Sequence, residues 1–219
     1  YGGCTNIDTV ENTAAHEAER LFGADYAYVQ PHSGADANLV AYWAILNKKI
    51  EMPCLEELNE TNVSHLTDEQ WRKLREKLGN QKLLGLDYYS GGHLTHGYRQ
   101  NVSARRFDAY SYTVEKESGL LDYEAIEKQA MQIKPLILLA GYSAYPRAVN
   151  FRRFRQIADK CGAVLMVDMA HFAGLVAGKV FTGEENPVEW ADIVTTTTHK
   201  TLRGPRGALI LCKAEFADS

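Results

Sequence analysis

The stretch Ala163-Val164-Leu165-Met166-Val167, followed by Asp168, decides the fold class, because it is apolar at every position and ends in a carboxylate. Such a run predicts a strand buried on both faces, whereas a half-exposed strand would alternate apolar and polar residues. Four more apolar runs predict strands of the same kind, at residues 83–86, 135–140, 193–196 and 208–212. A short strand is also predicted over residues 24–30.

Amphipathic helices separate these predicted strands. Asp122 is expected to cap a helix that ends at Ile133, and Asn150 a helix of residues 151–161 with one apolar face. Two earlier helices are predicted over residues 9–22 and from Ser33 onward, where Ser33 and Asp36 fit a capping box. Apolar strands that alternate with helices predict an α/β fold whose mainly parallel sheet is covered on both faces. Such sheets bind ligands beyond the carboxyl ends of their strands.

The composition excludes several functional classes. The chain has 219 residues, 45% hydrophobic and 24% charged, with a net charge of -4, which gives no reason to expect nucleic-acid binding. No apolar run reaches the roughly 18 residues of a membrane span, and no signal peptide is recognisable. The four cysteines have no CxxC spacing and predict free thiols in a reducing compartment, so we expect a cytoplasmic protein.

Two features concern the organisation of the chain. Residues 48–81 are polar and charged, with a short helix predicted over 68–78, and we interpret this segment as a surface insertion. The sequence begins without methionine, and both ends fall in or next to structured-looking sequence, so we expect a piece of a longer protein.

The residues after the strands carry the candidate chemistry. Asp168 ends a buried strand and therefore needs a partner, either the pyridinium nitrogen of pyridoxal phosphate (PLP), a helix that it caps, or an arginine. Lys200 follows four threonines and His199 after the next strand. A desolvated lysine near other cationic groups is activated as a nucleophile, although most lysines in loops are simply solvated.

Three glycine-containing turns are candidate ligand contacts. The turn before the helix at Ser33 offers free amides to a phosphate, as any capped helix does. The turn over residues 201–207 carries Arg206, which could hold an anion. The loop over residues 91–97 carries His93, which could stack on an aromatic cofactor; alternatively, His93 and His96 could bind a metal with Asp168 and His171, although no HExxH motif accompanies them.

Together these segments closely resemble the serine hydroxymethyltransferase family. The matching stretches occur in family order along nearly the whole chain: Tyr1-Gly2-Gly3-Cys4, Leu21-Phe22-Gly23-Ala24, Gln30-Pro31-His32-Ser33-Gly34, Gly91-Gly92-His93-Leu94-Thr95-His96-Gly97, Tyr142-Ser143-Ala144-Tyr145, Val167-Asp168-Met169-Ala170-His171, and Thr195 through Gly207. The resemblance implies the large, PLP-binding domain of a fold-type I transferase, with a mainly parallel, seven-stranded sheet between helices. It assigns residues 1–219 to that domain, without the N-terminal segment and the C-terminal small domain, and likens the insertion at about 48–82 to that of a bacterial subgroup.

The resemblance also implies an activity. The family transfers a hydroxymethyl group reversibly between serine and tetrahydrofolate, giving glycine and 5,10-methylenetetrahydrofolate. Its cofactor is PLP, which Lys200 would bind covalently. The family forms homodimers or dimers of dimers with shared active sites.

Residue roles follow from the resemblance position by position. Asp168 would pair with the ring nitrogen, His93 would stack over the ring, and His171 and Ser143 would bond on the side of the ring oxygen. Thr197 would lie beside the lysine linkage, and His199 would support Lys200. The remaining roles concern the phosphate, the folate, the wider site and the subunit interface: Ser33, Gly34 and Ala35 for phosphate; Tyr88, Gly92, His93 and Leu94 for folate; Arg206 around cofactor and substrate; and Tyr1 as a catalytic residue at the dimer interface.

Some positions depart from the family pattern. Many members have serine at the position of Ala35, leucine at that of Tyr88 and glycine at that of Ala208. The alternatives are another fold-type I enzyme such as a threonine aldolase, a fragment that binds PLP or self-associates without turnover, and, more remotely, a metal-dependent hydrolase.

Overall fold

Seven strands form one sheet in the computed structural model, which describes residues 2–219. In chain order they are β1 (Tyr26–Tyr28), β2 (Lys82–Leu86), β3 (Asp108–Tyr112), β4 (Ile137–Gly141), β5 (Val164–Asp168), β6 (Ile193–Thr197) and β7 (Ala208–Cys212). Their order across the sheet is β1-β7-β6-β5-β4-β2-β3. Strands β2 to β6 are mutually parallel, and β7 runs antiparallel to both β6 and β1. This confirms the mainly parallel, seven-stranded sheet.

Helices connect the strands and cover both faces of the sheet. They are α1 (Thr5–Phe22), α2 (Gly34–Leu46), α3 (Met52–Glu57), α4 (Asp68–Gly79), α5 (Val102–Arg106), α6 (Tyr123–Ile133), α7 (Phe151–Cys161), α8 (Ala173–Ala177) and α9 (Pro187–Trp190). A π-helical turn at Asn47–Glu51 joins α2 to α3. Short 3-10 turns lie at Val63–His65, Tyr88–Ser90, Leu94–His96, Gly183–Glu185 and Ala214–Phe216. Among the described residues, no helix is both long and apolar enough to span a membrane.

The side chains of β5 divide the core into two layers. Leu165 and Val167 pack on one face with α1, α6, α7 and α8, whereas Val164 and Met166 pack on the other face with α2 and α4. Successive side chains of a strand point to opposite faces, so a strand that is apolar at every position requires helices on both sides. The all-apolar runs of the sequence have this physical cause.

Most predicted elements are confirmed, with differences at their ends. Asp122 and Asn150 cap α6 and α7 as predicted. The first helix begins at Thr5 rather than at residue 9, and the strand predicted over 24–30 shortens to three residues at the sheet edge. The edge strand β3 was missed, because its sequence Asp-Ala-Tyr-Ser-Tyr is neither apolar throughout nor regularly alternating in polarity.

The segment interpreted as a surface insertion contributes to the core, and that interpretation was wrong in this respect. Leu74 of α4 is fully buried, and Leu78 and Cys54 are also buried in the layer that contains α2. Most other residues of α4 are charged and exposed. The charged majority of the segment concealed this narrow apolar stripe, whose spacing of four residues places both leucines on one helix face.

Candidate active site

The candidate site lies at the carboxyl ends of three adjacent strands. The sheet register places Gly141 of β4, Asp168 of β5 and Thr195 of β6 side by side. The loops that follow these strands carry Ser143, His171 and Lys200. The fold therefore brings together residues that are up to about sixty positions apart in the sequence, as expected for ligand binding in an open parallel sheet.

Asp168 is a buried carboxylate with donors on both oxygens. Its Oδ2 accepts from Asn38 Nδ2 at 2.9 Å and lies 3.1 Å from His96 Nε2, and its Oδ1 accepts from the Ala170 amide at 3.1 Å. Burial alone would raise the pKa of Asp168, but the hydrogen bond from His96, with those from Asn38 and the Ala170 amide, holds it well below its usual range. Asp168 is therefore an anion that could pair with a cationic ring nitrogen.

The amide of Asn38 connects Asp168 to neighbouring elements. Asn38 is buried on α2; its Nδ2 also donates to Thr95 Oγ1 at 2.7 Å, and its Oδ1 accepts from Thr195 Oγ1 at 2.6 Å. Tyr42, one turn further along α2, donates to the Thr95 carbonyl at 2.6 Å. Burial, with a smaller contribution from Asp168, raises the pKa of Tyr42 well above its usual value, so its hydroxyl stays protonated as a donor.

His93 lies at the edge of this network. Its Nδ1 is 2.6 Å from Thr95 Oγ1 and accepts the Thr95 amide at 3.2 Å. Burial is the largest cause that lowers the pKa of His93, and the neighbouring His96 lowers it further. His93 is therefore a neutral ring in a partly buried position, which suits stacking on a planar ligand.

Lys200 and His171 form a close pair. Lys200 Nζ lies 3.1 Å from His171 Nε2, and both side chains are partly buried. Burial, and next the charge of Lys200, lowers the pKa of His171. His171 is consequently neutral, and its Nε2 can accept a proton of the Lys200 amine.

Three buried polar atoms around this pair have no hydrogen-bond partner within residues 2–219. They are Ser143 Oγ, Thr197 Oγ1 and His199 Nδ1. Buried polar atoms are rarely left unpaired in proteins, and each such group calls for an explanation. All three were predicted site residues, and their free hydrogen-bonding capacity is what a polar ligand would use.

The turn before α2, predicted to hold a phosphate, is a capped helix start. Ser33 is the N-cap of α2, and its Oγ accepts the Asp36 amide at 3.2 Å. The reciprocal half of the predicted capping box differs, because the Asp36 carboxylate accepts from the Ser33 hydroxyl at 2.9 Å rather than from its amide. At Gly34, an added Cβ would lie 2.8 Å from Thr197 Cγ2, so this turn contacts the end of β6 closely. Ala35 is exposed at the same helix start.

The residues assigned to folate lie around the 91–97 loop. Tyr88 and Leu94 are exposed, and the Tyr88 ring packs against Tyr98 with 5.1 Å between centroids. Gly92 is buried, and an added Cβ would lie 2.1 Å from the Leu86 carbonyl oxygen, so only glycine fits there.

Two predicted site residues are not brought into this cluster. Arg206 is exposed and lines an open cleft with Ile7, Val10 and His32 beside α1. Tyr1 lies outside the described residues, so its predicted role stays a prediction.

The contacts also bear on the metal alternative. One ligand atom each from His93, His96 and Asp168 lies within 4.8 Å of the others. However, the Nδ1 of His93, the Nε2 of His96 and both oxygens of Asp168 already have hydrogen-bond partners in the chain. His171, the fourth proposed ligand, contacts Lys200 instead.

The prediction missed two residues that surround Asp168, Asn38 and Thr95, and it named His96 only as a possible metal ligand. Asn38, Thr95 and His96 are all buried, and they are at least 72 residues from Asp168 in the sequence. One signal was available for Asn38, which is the polar member of an otherwise apolar helix face that includes Ala37, Ala41 and Ile45. A polar residue in such a position requires a buried partner.

Comparisons with known proteins agree with these motifs. The profile of the serine hydroxymethyltransferase family matches residues 1–77 and 77–218. The chain is 71% identical over 219 residues to the serine hydroxymethyltransferase of Treponema pallidum (strain Nichols), covering all of this chain and 38% of that protein. It is 60% identical over 218 residues to that of Salinispora tropica, covering 100% and 46%, and 59% identical over 217 residues to that of Mycolicibacterium smegmatis, covering 99% and 44%. The chain thus spans less than half the length of these relatives.

Proposed function

The chain belongs to the serine hydroxymethyltransferase family, and on that premise we propose that the full-length protein transfers a hydroxymethyl group reversibly between serine and tetrahydrofolate. The products are glycine and 5,10-methylenetetrahydrofolate. The observation that carries the proposal is the placement of the Lys200–His171 pair and the anionic Asp168 at adjacent strand ends. The identity of 51% to 71% with proteins of that name favours this activity over that of another fold-type I enzyme such as a threonine aldolase.

The site fits PLP by its free polar groups. The unpaired Ser143 Oγ, Thr197 Oγ1 and His199 Nδ1 offer hydrogen bonds to a polar ligand, and the start of α2 offers amides to a phosphate. Asp168 would hold the ring nitrogen, and His93 would stack on the ring. Ser33, Gly34 and Ala35 would hold the phosphate, with Arg206 near the cofactor and substrate. When bound, PLP withdraws electrons from the carbon atom next to the substrate amine.

The residues of the chain support that chemistry in separate ways. Asp168, kept anionic by His96 and Asn38, would keep a proton on the ring nitrogen. His171 Nε2 accepts a hydrogen bond from the Lys200 amine and so orients the group that would bond to the cofactor. Lys200 can then exchange between holding the cofactor and holding a proton near the reacting carbon.

Substrate and subunit contacts are also part of the proposal. Tyr88, Gly92, His93 and Leu94 would contact tetrahydrofolate at the open side of the 91–97 loop. A homodimer, or a dimer of dimers, is supported by the exposed apolar side chains of α1, and a cytoplasmic location is supported by the four free cysteines. Ile7 and Val10 of that helix are 66% and 67% exposed and line the cleft that also contains Arg206. Tyr1 would work at this interface.

The proposal is tested by an assay of serine cleavage in the full-length protein with and without tetrahydrofolate. We expect glycine formation that requires tetrahydrofolate and is lost in Lys200→Ala. The matched control is Lys128→Ala, because Lys128 is exposed on α6, away from the strand ends, and should retain activity. Glycine formation that is independent of tetrahydrofolate, or equal in both variants, would contradict the proposal.

A further inference from the structure

Asn38 occupies a central position among the buried polar groups of the site. Its side chain is 1% exposed, on the fifth residue of α2, the helix whose first turn forms the phosphate cradle. Three hydrogen bonds join it to Asp168, Thr95 and Thr195, which lie on three different elements. No other described side chain bonds to both the Asp168 carboxylate and the Thr95 hydroxyl.

The orientation of the Asn38 amide follows from its partners. An ionised carboxylate can only accept, so the NH₂ group of Asn38 must face Asp168 Oδ2, at 2.9 Å. The carbonyl oxygen then faces Thr195, whose hydroxyl donates to it at 2.6 Å. The second proton of the NH₂ group is left for Thr95 Oγ1, at 2.7 Å.

The Thr95 hydroxyl passes this orientation on to His93. A hydroxyl has one proton, and Thr95 Oγ1 accepts from Asn38, so its own proton is free to go to His93 Nδ1 at 2.6 Å. The Thr95 amide also points at that nitrogen, at 3.2 Å, and an amide can only donate. His93 Nδ1 is therefore an acceptor from two donors, and the ring carries its proton on Nε2.

His96 follows the same rule on the other side of Asp168. The His93 amide donates to His96 Nδ1 at 3.4 Å, which leaves the His96 proton on Nε2, facing Asp168 Oδ2 at 3.1 Å. The two histidines of the 91–97 loop thus have the same tautomer, and each is set by backbone and side-chain donors of that loop.

We propose that Asn38 is a positioning residue that fixes the Asp168 carboxylate and, by holding the Thr95 hydroxyl as the second donor to His93 Nδ1, supports the Nε2–H tautomer and ring orientation of His93. It acts on the cofactor only through these two residues, so the inference rests on the proposed function for its consequence but not for its geometry. Because Asn38 lies one turn after Gly34, α2 also sets the spacing between the phosphate cradle and Asp168.

The direct test reads the imidazole nitrogens of the full-length protein, labelled with ¹⁵N-histidine, without cofactor or substrate. The His93 signals are assigned by their loss in a His93→Asn variant. We expect an acceptor-type Nδ1 and a protonated Nε2 in the unmodified protein. Asn38→Ala should shift both His93 signals part of the way toward the average of two tautomers, because the Thr95 amide remains as a donor to Nδ1. A protonated Nδ1 in the unmodified protein, or His93 signals that Asn38→Ala leaves unchanged, would overturn the proposal.

A second pair of variants applies if Asn38→Ala does not fold. Thr95→Val keeps the branched shape and removes the hydroxyl, whereas Thr95→Ser keeps the hydroxyl. Only Thr95→Val should shift the His93 signals, and equal shifts in both variants would contradict the relay. Asn47→Ala is the matched control, since Asn47 bonds to Glu51 at the far end of α2 and should change neither histidine.

Binding of PLP by the same variants separates this inference from the proposed function. Loss of one hydrogen bond to a charged group should weaken PLP binding or turnover by roughly ten- to a hundredfold in Asn38→Ala. Tautomer shifts without any PLP binding by the unmodified protein would support the relay and refute the proposed function. PLP binding by the unmodified protein, with the same His93 tautomer in all variants, would support the proposed function and refute the relay.

Discussion

At the scale of single residues, opposing effects meet on Asp168. Burial favours its neutral form, and His96, Asn38 and the Ala170 amide favour its anion. The three donors outweigh the burial, so the pKa of Asp168 is lower in the folded state than in the unfolded chain, where aspartates titrate near about 3.9. The ionised carboxylate therefore contributes stability at neutral pH, and this contribution is lost as the pH falls through that range.

The pH dependence of unfolding tests this carboxylate. Below about pH 4, the full-length protein should lose roughly 1.4 kcal/mol of unfolding free energy per pH unit relative to an Asp168→Asn variant. The reason is that Asp168 takes up a proton on unfolding in this range, whereas an asparagine does not. Denaturant titrations of both proteins between pH 3 and pH 8, at about unit intervals, measure the difference. A difference that is constant across the whole range would show that folding does not lower the pKa of Asp168.

At the scale of elements, the position of Asp168 depends on the close contact between the ends of β4 and β5. Gly141, the last residue of β4, has φ of 101°, and an added Cβ would lie 2.0 Å from the Asp168 carbonyl oxygen. Gly162, after α7, has φ of 75° but nothing within 4 Å of an added Cβ. An alanine would have a strained backbone at both positions, and only at Gly141 would its Cβ also collide with the backbone of Asp168.

This difference predicts unequal effects of the same substitution. Gly162→Ala should lower the free energy of unfolding by about 1 to 2 kcal/mol, the cost of a left-handed conformation. Gly141→Ala should lower it by more than about 3 kcal/mol and displace Asp168, because strain and overlap with the backbone add. Equal losses in the two variants, measured by denaturant unfolding, would show that β4 and β5 are not packed this closely.

The helix α4 gives a second prediction at this scale. Leu74→Ala should lower the free energy of unfolding by about 2 to 5 kcal/mol, because its side chain is fully buried between α4 and the sheet layer that contains α2. Glu76→Ala, two residues away on the exposed face of α4, should change it by less than about 0.5 kcal/mol. A near-neutral Leu74→Ala would mean that the 48–81 segment is a surface addition after all.

At the scale of the whole molecule, the sequence predicted what depends on local pattern. Strands that are apolar throughout, such as β5, can be recognised from the sequence, and so can capped amphipathic helices such as α7. The edge strand β3 was missed because its mixed sequence, Asp-Ala-Tyr-Ser-Tyr, has neither an apolar run nor a regular alternation. The residues of the Asp168 network were missed because Asn38 and Asp168 meet only when α2 packs on the sheet, 130 positions apart in the chain.

The motifs predicted the residues at the adjacent strand ends better than they predicted the residues around them. Asp168, His171 and Lys200 were predicted as site residues, and the structure brings them to adjacent strand ends. Arg206 was placed with them by motif alone, yet it lies exposed in the cleft beside α1. A turn between two strands has no periodic pattern from which the direction of its side chains could be read.

The measurement that tests the central claim most directly is the visible absorbance of the full-length protein with PLP, before and after borohydride reduction, followed by peptide mapping. We predict a visible band that reduction abolishes and a cofactor label on the peptide that contains Lys200, with no label in Lys200→Ala. No band in a folded sample, or a label fixed on a different lysine, would contradict the assignment of this site.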